Sequence, residues 1–470
     1  MQNLDALRDR LSDILDAQSA ATGVAGAVVG VAVGDEQFSL SHGLANLNAG
    51  QEFTPDTGWL LGSVTKMLTT TLLLRMVDAG AIELDRPVHR YLPDFTLTDT
   101  DAAARITVRM LVNHTNGMDA DSLMPSDVRG RDASRSYLSQ LARRGTVFEP
   151  GAGIHYSNPG FVVAARIIEE QTGSPFERVI QSELFDPCGM NDATAVQTQA
   201  FLRRTAIGSF SGTEPGTLQS TTLFSLPESA AGAGGTPIVT TADMIAFGRM
   251  HLAGGLAPNG RRVLSPSLVA AMQTPTASED VPHVPPIGLG WWLPAIAGTT
   301  AAWHGGGSPG GRSSFCILPE YDAVVVSYVS GPNALLNDTM HTAVIEHLTG
   351  RRATPPFTPA SATPDPDVAG SYSSFQLEVD AETDELRLML RTSILPYDAE
   401  HRRILAAYGN PPETPVPHTA VAPGLYAPEG MEPDLLAGFF GRAALIASRP
   451  AAPGRPAGLQ MGTRFVPKTG

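Results

Sequence analysis

Hydrophobic and polar positions follow different periods in different parts of the chain. At the start, Leu4, Leu7, Leu11, Ile14 and Leu15 recur at helical spacing with Asp and Arg between them, which predicts an amphipathic helix. AGAVVGVAVG (25–34) and FSLSHGLA (38–45) then flank the polar turn Asp35-Glu36-Gln37, the pattern of a β-hairpin. From Ser63 to about Thr172 the pattern is mostly helical. MLTTTLLLRMVDAG stops at Gly80 and FVVAARIIEEQTG stops at Gly173, each at the residue type that most readily ends a helix. Strand-like runs return at FCIL (315–318) and AVVVSYV (323–329) around the turn Pro319 to Asp322, and a helix is predicted near 341–348.

The pattern changes again at residue 351. RRATPPFTPASATPDPD (351–367) holds five prolines and little to bury, and reads as a linker. Beyond it SYSSFQLEVD and ELRLMLRT alternate with period two, and short runs continue among Pro and Gly up to TRFVP. Residues 368–470 therefore predict a small all-β domain. A chain of 470 residues suits two or three domains.

Composition narrows the functional classes. The net charge of -15 and the absence of a basic run argue against nucleic acid, whose binding depends on cations neutralising phosphates. No apolar run reaches membrane-spanning length, and the N-terminus lacks the unbroken apolar core and cleavage site of a secretory leader, so a cytoplasmic protein off the membrane is expected. Cys188 and Cys316, the only cysteines, cannot form a disulfide framework or a cysteine-rich zinc site. With no H-E-x-x-H either, neither metal nor cofactor is expected.

Charge usage points to one residue. Lys66 and Lys468 are the only lysines in a chain whose other basic residues are thirty arginines. A partly buried lysine can lose its proton, whereas guanidinium stays charged, so a lysine kept where arginine serves everywhere else suggests a base. Ser63 stands three residues earlier, which on a helix brings the two side chains together as a nucleophile and its base. Taken alone, the motif also fits a serine cap with Lys66 turned to solvent.

Two distant motifs decide between these readings. YSN (156–158) lies within FEPGAGIHYSNPGFVVAARIIEEQTGSPFERVIQSELFDPCGM, and HGG (304–306) within WHGGGSPGGRSSF. With SVTK (63–66), LVNHTNGM (111–118), GAGGTPIVTTADMIAF (232–247) and GLGWW (288–292), they make residues 1–350 resemble the serine beta-lactamase and penicillin-binding-protein superfamily, on the class C side. The resemblance implies an α+β, transpeptidase-like fold: an antiparallel sheet flanked by helices, with a helical subdomain over roughly 64–230. It implies Ser63 as acylated nucleophile, Lys66 and Tyr156 as proton-transfer partners, and the backbone N–H groups of Ser63 and Gly307 as oxyanion hole. Asn158 would position Lys66 and substrate, while His304 with Gly305 and Gly306 would tune Tyr156 or meet a substrate carboxylate. His114 and His155 are expected to be structural.

Three look-alikes are set aside. Lys468-Thr469-Gly470 spells a motif of many lactamases but reads as a tail with no strand after it. Gly306 to Gly310 fits the nucleophile elbow G-x-S-x-G, but Pro309 has no N–H for an oxyanion hole. Gly305 to Gly310 fits G-x-G-x-x-G, but a strand is predicted where a dinucleotide site needs a helix.

Within the superfamily, an H-x-G motif followed by a β domain is similar to the penicillin-binding-protein-type thioesterases, in which the appended domain is lipocalin-like. That resemblance implies head-to-tail cyclisation of a nonribosomal peptide carrying a D-configured C-terminal residue. The partners would be a peptide or acyl substrate and a peptidyl carrier protein of a peptide synthetase. The alternatives are a cytoplasmic esterase or D-stereospecific aminopeptidase or amidase of the same fold, and, from another class, a non-catalytic binding protein.

Overall fold

A computed structural model of the chain describes residues 4–121, 123–212, 214, 216–331, 334–360, 362–375, 377–406 and 414–470. The first helix, α1 (Leu4–Thr22), lays Leu7, Leu11 and Leu15 fully inward, as their spacing predicts. Strands β1 (Gly26–Val33) and β2 (Glu36–Asn46) form the expected hairpin, with Val29 opposite Leu40. On its other side β1 pairs antiparallel with Ala323–Ser330, and beyond that strand lie Gly311–Leu318 and Ala302–Ser308. With the short β3 (Gln51–Glu52) these make one six-stranded sheet, in which Ala302–Ser308 is an edge.

The unbroken apolar run of β1 has a physical cause. Val29 and Val31 pack into the layer containing α1 and the helix Leu335–Thr349, whereas Val28 and Ala32 face the opposite core with Met67, Leu68 and Phe161. A strand covered on both faces has no solvent side on which to alternate.

Within the helical region, α2 (Thr65–Asp78) is buried along its first ten residues and runs through the core. A second long helix, Asn158–Thr172, packs against it and begins at Ser157, whose hydroxyl accepts the Gly160 N–H at 3.1 Å. It ends as predicted at Gly173 in left-handed conformation (φ 68°).

The C-terminal part is an eight-stranded antiparallel sheet, Gly370–Ser373 to Arg464–Pro467, in which each strand pairs with the next in sequence. It closes almost into a barrel where Tyr372 meets Lys468. Two sequence expectations need correction. Lys468-Thr469-Gly470 is no free tail: the Lys468 and Thr469 N–H groups donate to Ala457 and Ser371, both at 2.8 Å, and Lys468 Nζ donates to the Asp367 carbonyl at 2.7 Å. The proline-rich 351–367 segment does find something to bury. Ala353 sits in the core with its N–H on Glu346, and the Ala360 N–H reaches the Val421 carbonyl at 2.9 Å. Proline spacing records the missing donors but not the acceptors that the remaining N–H groups meet.

The barrel is docked by buried polar contacts. Asp338 accepts the N–H groups of Phe439, Phe440 and Gly441 at 2.9, 3.0 and 2.8 Å. Arg449 and Glu279, whose side chains are 8% and 7% exposed, pair at 2.7 Å. The Tyr156 N–H donates to the Thr463 carbonyl at 2.8 Å and the Phe465 N–H to His155 Nδ1 at 3.1 Å. No helix among the described residues is long and apolar enough to cross a membrane.

Candidate active site

Ser63 lies in the 3-10 turn Gly62–Val64 that leads directly into α2, so the N–H groups of a helix start surround it. The turn needs glycine before the serine. Gly62 has φ 64°, and a Cβ there would meet the backbone O and N of Gly307 at 2.7 and 2.9 Å. That contact sets the turn against the end of the edge strand Ala302–Ser308, where His304, Gly305, Gly306 and Gly307 follow one another. At Gly306 a Cβ would strike Ser313 Oγ, the Leu61 carbonyl and the Ser63 nitrogen at 2.2, 2.4 and 3.2 Å. The strand therefore approaches Ser63 only because it carries no side chains there.

Lys66 is completely buried, which the solvent-facing alternative does not allow. Its Nζ donates to Ser63 Oγ at 3.1 Å, to Asn158 Oδ1 at 2.7 Å and to the Ala233 carbonyl at 2.7 Å. It also lies 5.0 Å from the centre of the Tyr156 ring. Burial lowers its proton affinity from 10.5 to about 7; Asp121 opposes this and Arg464 adds to it. At neutral pH a large share of Lys66 is thus the free amine, which can accept a proton from Ser63.

His304 is buried, and burial followed by the Lys66 charge pushes its affinity down to about 3. Its Nδ1 lies 2.6 Å from the Gly305 carbonyl, an acceptor only, so the proton is on Nδ1 and Nε2 presents a lone pair. A neutral imidazole brings no charge to a substrate carboxylate. His114 and His155, expected to be structural, both accept backbone N–H groups. His114 accepts the Ser157 N–H at 2.9 Å and stacks on Trp292, while His155 accepts from Phe465.

Ser63, Tyr156, Asn158 and residues 304–307 line one cavity of about 470 Å³. Sequence reasoning missed the part of the lining that comes from the C-terminal region: Phe439, Phe440, Arg442 and Arg464. It also missed Asp121. The side chain of Asn158 donates to that carboxylate at 2.9 Å, and Arg464 Nε donates to its other oxygen at 2.6 Å. A lone Asp within MDADSLM, and one Arg among thirty, carry no local signal of this meeting. Among the described residues no group of three or more His, Cys, Asp or Glu gathers as a metal site.

Residues 11–348 match the Beta-lactamase family model, ending where the proline-rich segment begins. The chain belongs to the Beta-lactamase family. As a member it is a serine hydrolase with the transpeptidase-like fold that its motifs imply. Penicillin-binding protein 4 of Amycolatopsis lactamdurans is 29% identical over 361 residues, 76% of this chain and 94% of that relative. Among solved structures, SurE aligns over 99% of this family member and 100% of its own chain with a TM-score of 0.72 at 22% identity, so its fold likeness includes the barrel. The D-amino acid amidase of Ochrobactrum anthropi SV3, complexed with L-phenylalanine amide, aligns over 73% of this chain and 97% of its own (TM-score 0.62, 26% identity).

Proposed function

We propose that the protein is a serine acyl transferase that takes a peptidyl group from a thioester onto Ser63 and closes the peptide head to tail. In the first half, Ser63 Oγ attacks the thioester carbonyl while Lys66 Nζ accepts its proton, the oxyanion facing the N–H groups of Ser63 and Gly307. The carbon–sulfur bond breaks and the thiol leaves with a proton passed through Tyr156. In the second half, the substrate's own amine attacks the Ser63 ester, the new amide forms, and the serine regains its proton. Asn158 holds Lys66 throughout.

The observation that carries this reading is the wall contributed by the barrel. Phe439, Phe440, Arg442 and Arg464 add an aromatic and cationic lining to the Ser63 cavity that a hydrolase of small esters does not need. Along such a wall a peptide can fold back on itself, and its own amine then competes with water because its local concentration is high. D-configuration is supported by a fold neighbour solved with D-Leu and by the amidase named for D-amino acids. The thioester would arrive on a peptidyl carrier protein in the cytoplasm.

The amidase likeness favours a second reading, hydrolysis of D-amino acid amides or esters. The Ser63–Lys66 contact of 3.1 Å speaks against a non-catalytic binding protein. Incubation with a peptidyl thioester mimic ending in a D-residue distinguishes the two enzymatic readings. A cyclic product supports transfer, and linear acid alone overturns it in favour of hydrolysis.

A further inference from the structure

We infer that the Asp121–Arg464 ion pair is a positioning element of the Ser63 site, through which the C-terminal barrel holds Asn158 and, through Asn158, the Lys66 amine. The inference rests on the reading of Ser63 as nucleophile and Lys66 as its base. It goes beyond that reading by making the barrel part of the proton-transfer machinery as well as of the cavity lining.

The contacts form one chain. Arg464, on the last barrel strand Arg464–Pro467, donates from Nε to Asp121 Oδ2 at 2.6 Å. Asp121 Oδ1 accepts both the backbone N–H and the side-chain amide of Asn158, at 3.1 and 2.9 Å. The same amide donates to the Asp121 backbone carbonyl at 2.9 Å. With its NH₂ group turned to Asp121 on both counts, Asn158 can present only Oδ1 to Lys66, which it meets at 2.7 Å. Meanwhile the Arg464 guanidinium lies 4.8 Å from the centre of the Tyr156 ring. A rotated Asn158 would aim a donor at Lys66, so the ion pair fixes which way the amide faces.

The pair also carries opposed charges near the base. Burial works against the Asp121 carboxylate, but Arg464, His155 and the Asn158 N–H hold it below the ordinary carboxylate range. Asp121 therefore favours the protonated form of Lys66 and Arg464 the free amine. Of the other groups around Lys66, Ser63 on its own turn, Asn158 and Phe161 on the neighbouring helix and the Ala233 carbonyl carry no charge, and the titratable Tyr156 faces both Lys66 and Arg464 with its ring. The imidazoles of His114 and His304, both pushed by burial to low affinity, are neutral at working pH.

The test is the pH dependence of Ser63 acylation by a fluorophosphonate, because acylation requires Lys66 as the free amine. The unaltered protein should show an acid limb near pH 7. Replacing Arg464 with Gln removes a cation and moves that limb up by about one pH unit. Asp121→Asn keeps an acceptor for Asn158 but removes an anion, and moves the limb down by about as much. Arg464→Lys restores the charge and returns the limb toward its original position. Limbs that stay unmoved, or that move in the same direction in the Gln and Asn variants, overturn the inference while leaving Ser63 as nucleophile. Absence of labelling at Ser63 in the unaltered protein overturns the nucleophile reading itself. Should Arg464→Gln not fold, the Asp121→Asn shift decides the sign alone.

Discussion

Lys66 is the residue at which function and stability pull in opposite directions, and Lys66→Met makes the conflict measurable. The unfolded chain holds this proton up to about pH 10.5, whereas the folded chain releases it near 7. Folding therefore carries a penalty that is full below pH 7, shrinks as pH rises, and is gone above 10.5. At about 1.4 kcal/mol per pH unit the full penalty is about 5 kcal/mol, of which about 4 remains at pH 7 and about 2 at pH 9. Methionine fills similar space without the charge and removes the whole penalty. It also leaves Asn158 Oδ1 and the Ala233 carbonyl without the amine that serves them, at a cost of about 1–3 kcal/mol each. The variant should thus stay within about 2 kcal/mol of the original protein in stability at pH 7 despite losing two buried hydrogen bonds, while fluorophosphonate labelling of Ser63 slows by about 10²–10⁴-fold. Urea denaturation of both proteins at pH 7 and pH 9 provides the assay. The original protein should gain about 2 kcal/mol on the variant between the two. A stability difference that is constant across this range would refute a Lys66 of lowered proton affinity.

Three further outcomes follow from the packing. Ser63→Ala should remove labelling without lowering the melting temperature, since the hydroxyl takes no part in burying the turn; labelling that persists would move the nucleophile elsewhere. Gly306→Ala should slow acylation at least about a hundredfold, because its Cβ is directed at Ser313 Oγ and the Leu61 carbonyl and must displace the strand from Ser63; unchanged rates would show that the strand can shift freely. Asp338→Ala should destabilise the protein by about 2–4 kcal/mol and raise KM for a peptidyl thioester, since three buried N–H groups of 439–441 lose their acceptor. An unchanged KM would detach Phe439 and Phe440 from substrate binding.

How much of this was legible in the sequence depends on whether its cause is local. Helix periods, glycine stops and the hairpin turn are local, and the main sheet, α2 and the helix Asn158–Thr172 follow them closely. Lys66 stood out by its rarity and its spacing from Ser63. YSN and HGG were readable only by resemblance, because a lone tyrosine or histidine carries no pattern. Asp121 and Arg464 could not be read at all: 343 residues separate them, and only the docked barrel brings them together. The same holds for Asp338, whose partners lie about a hundred residues downstream. The closing Lys468-Thr469-Gly470 misled in a smaller way, since its backbone donors complete a barrel whose ends the sequence does not mark.

A peptidyl group that passes through an ester on Ser63 must be found there during turnover. Mixing the protein with a peptidyl thioester ending in a D-residue, quenching in acid within the first turnovers, and mapping the digest by mass spectrometry tests it directly. The fragment containing Ser63 should gain a mass equal to the peptide acyl group, with free thiol released in equal amount. Turnover with no adduct at Ser63, or an adduct on another residue, would contradict it.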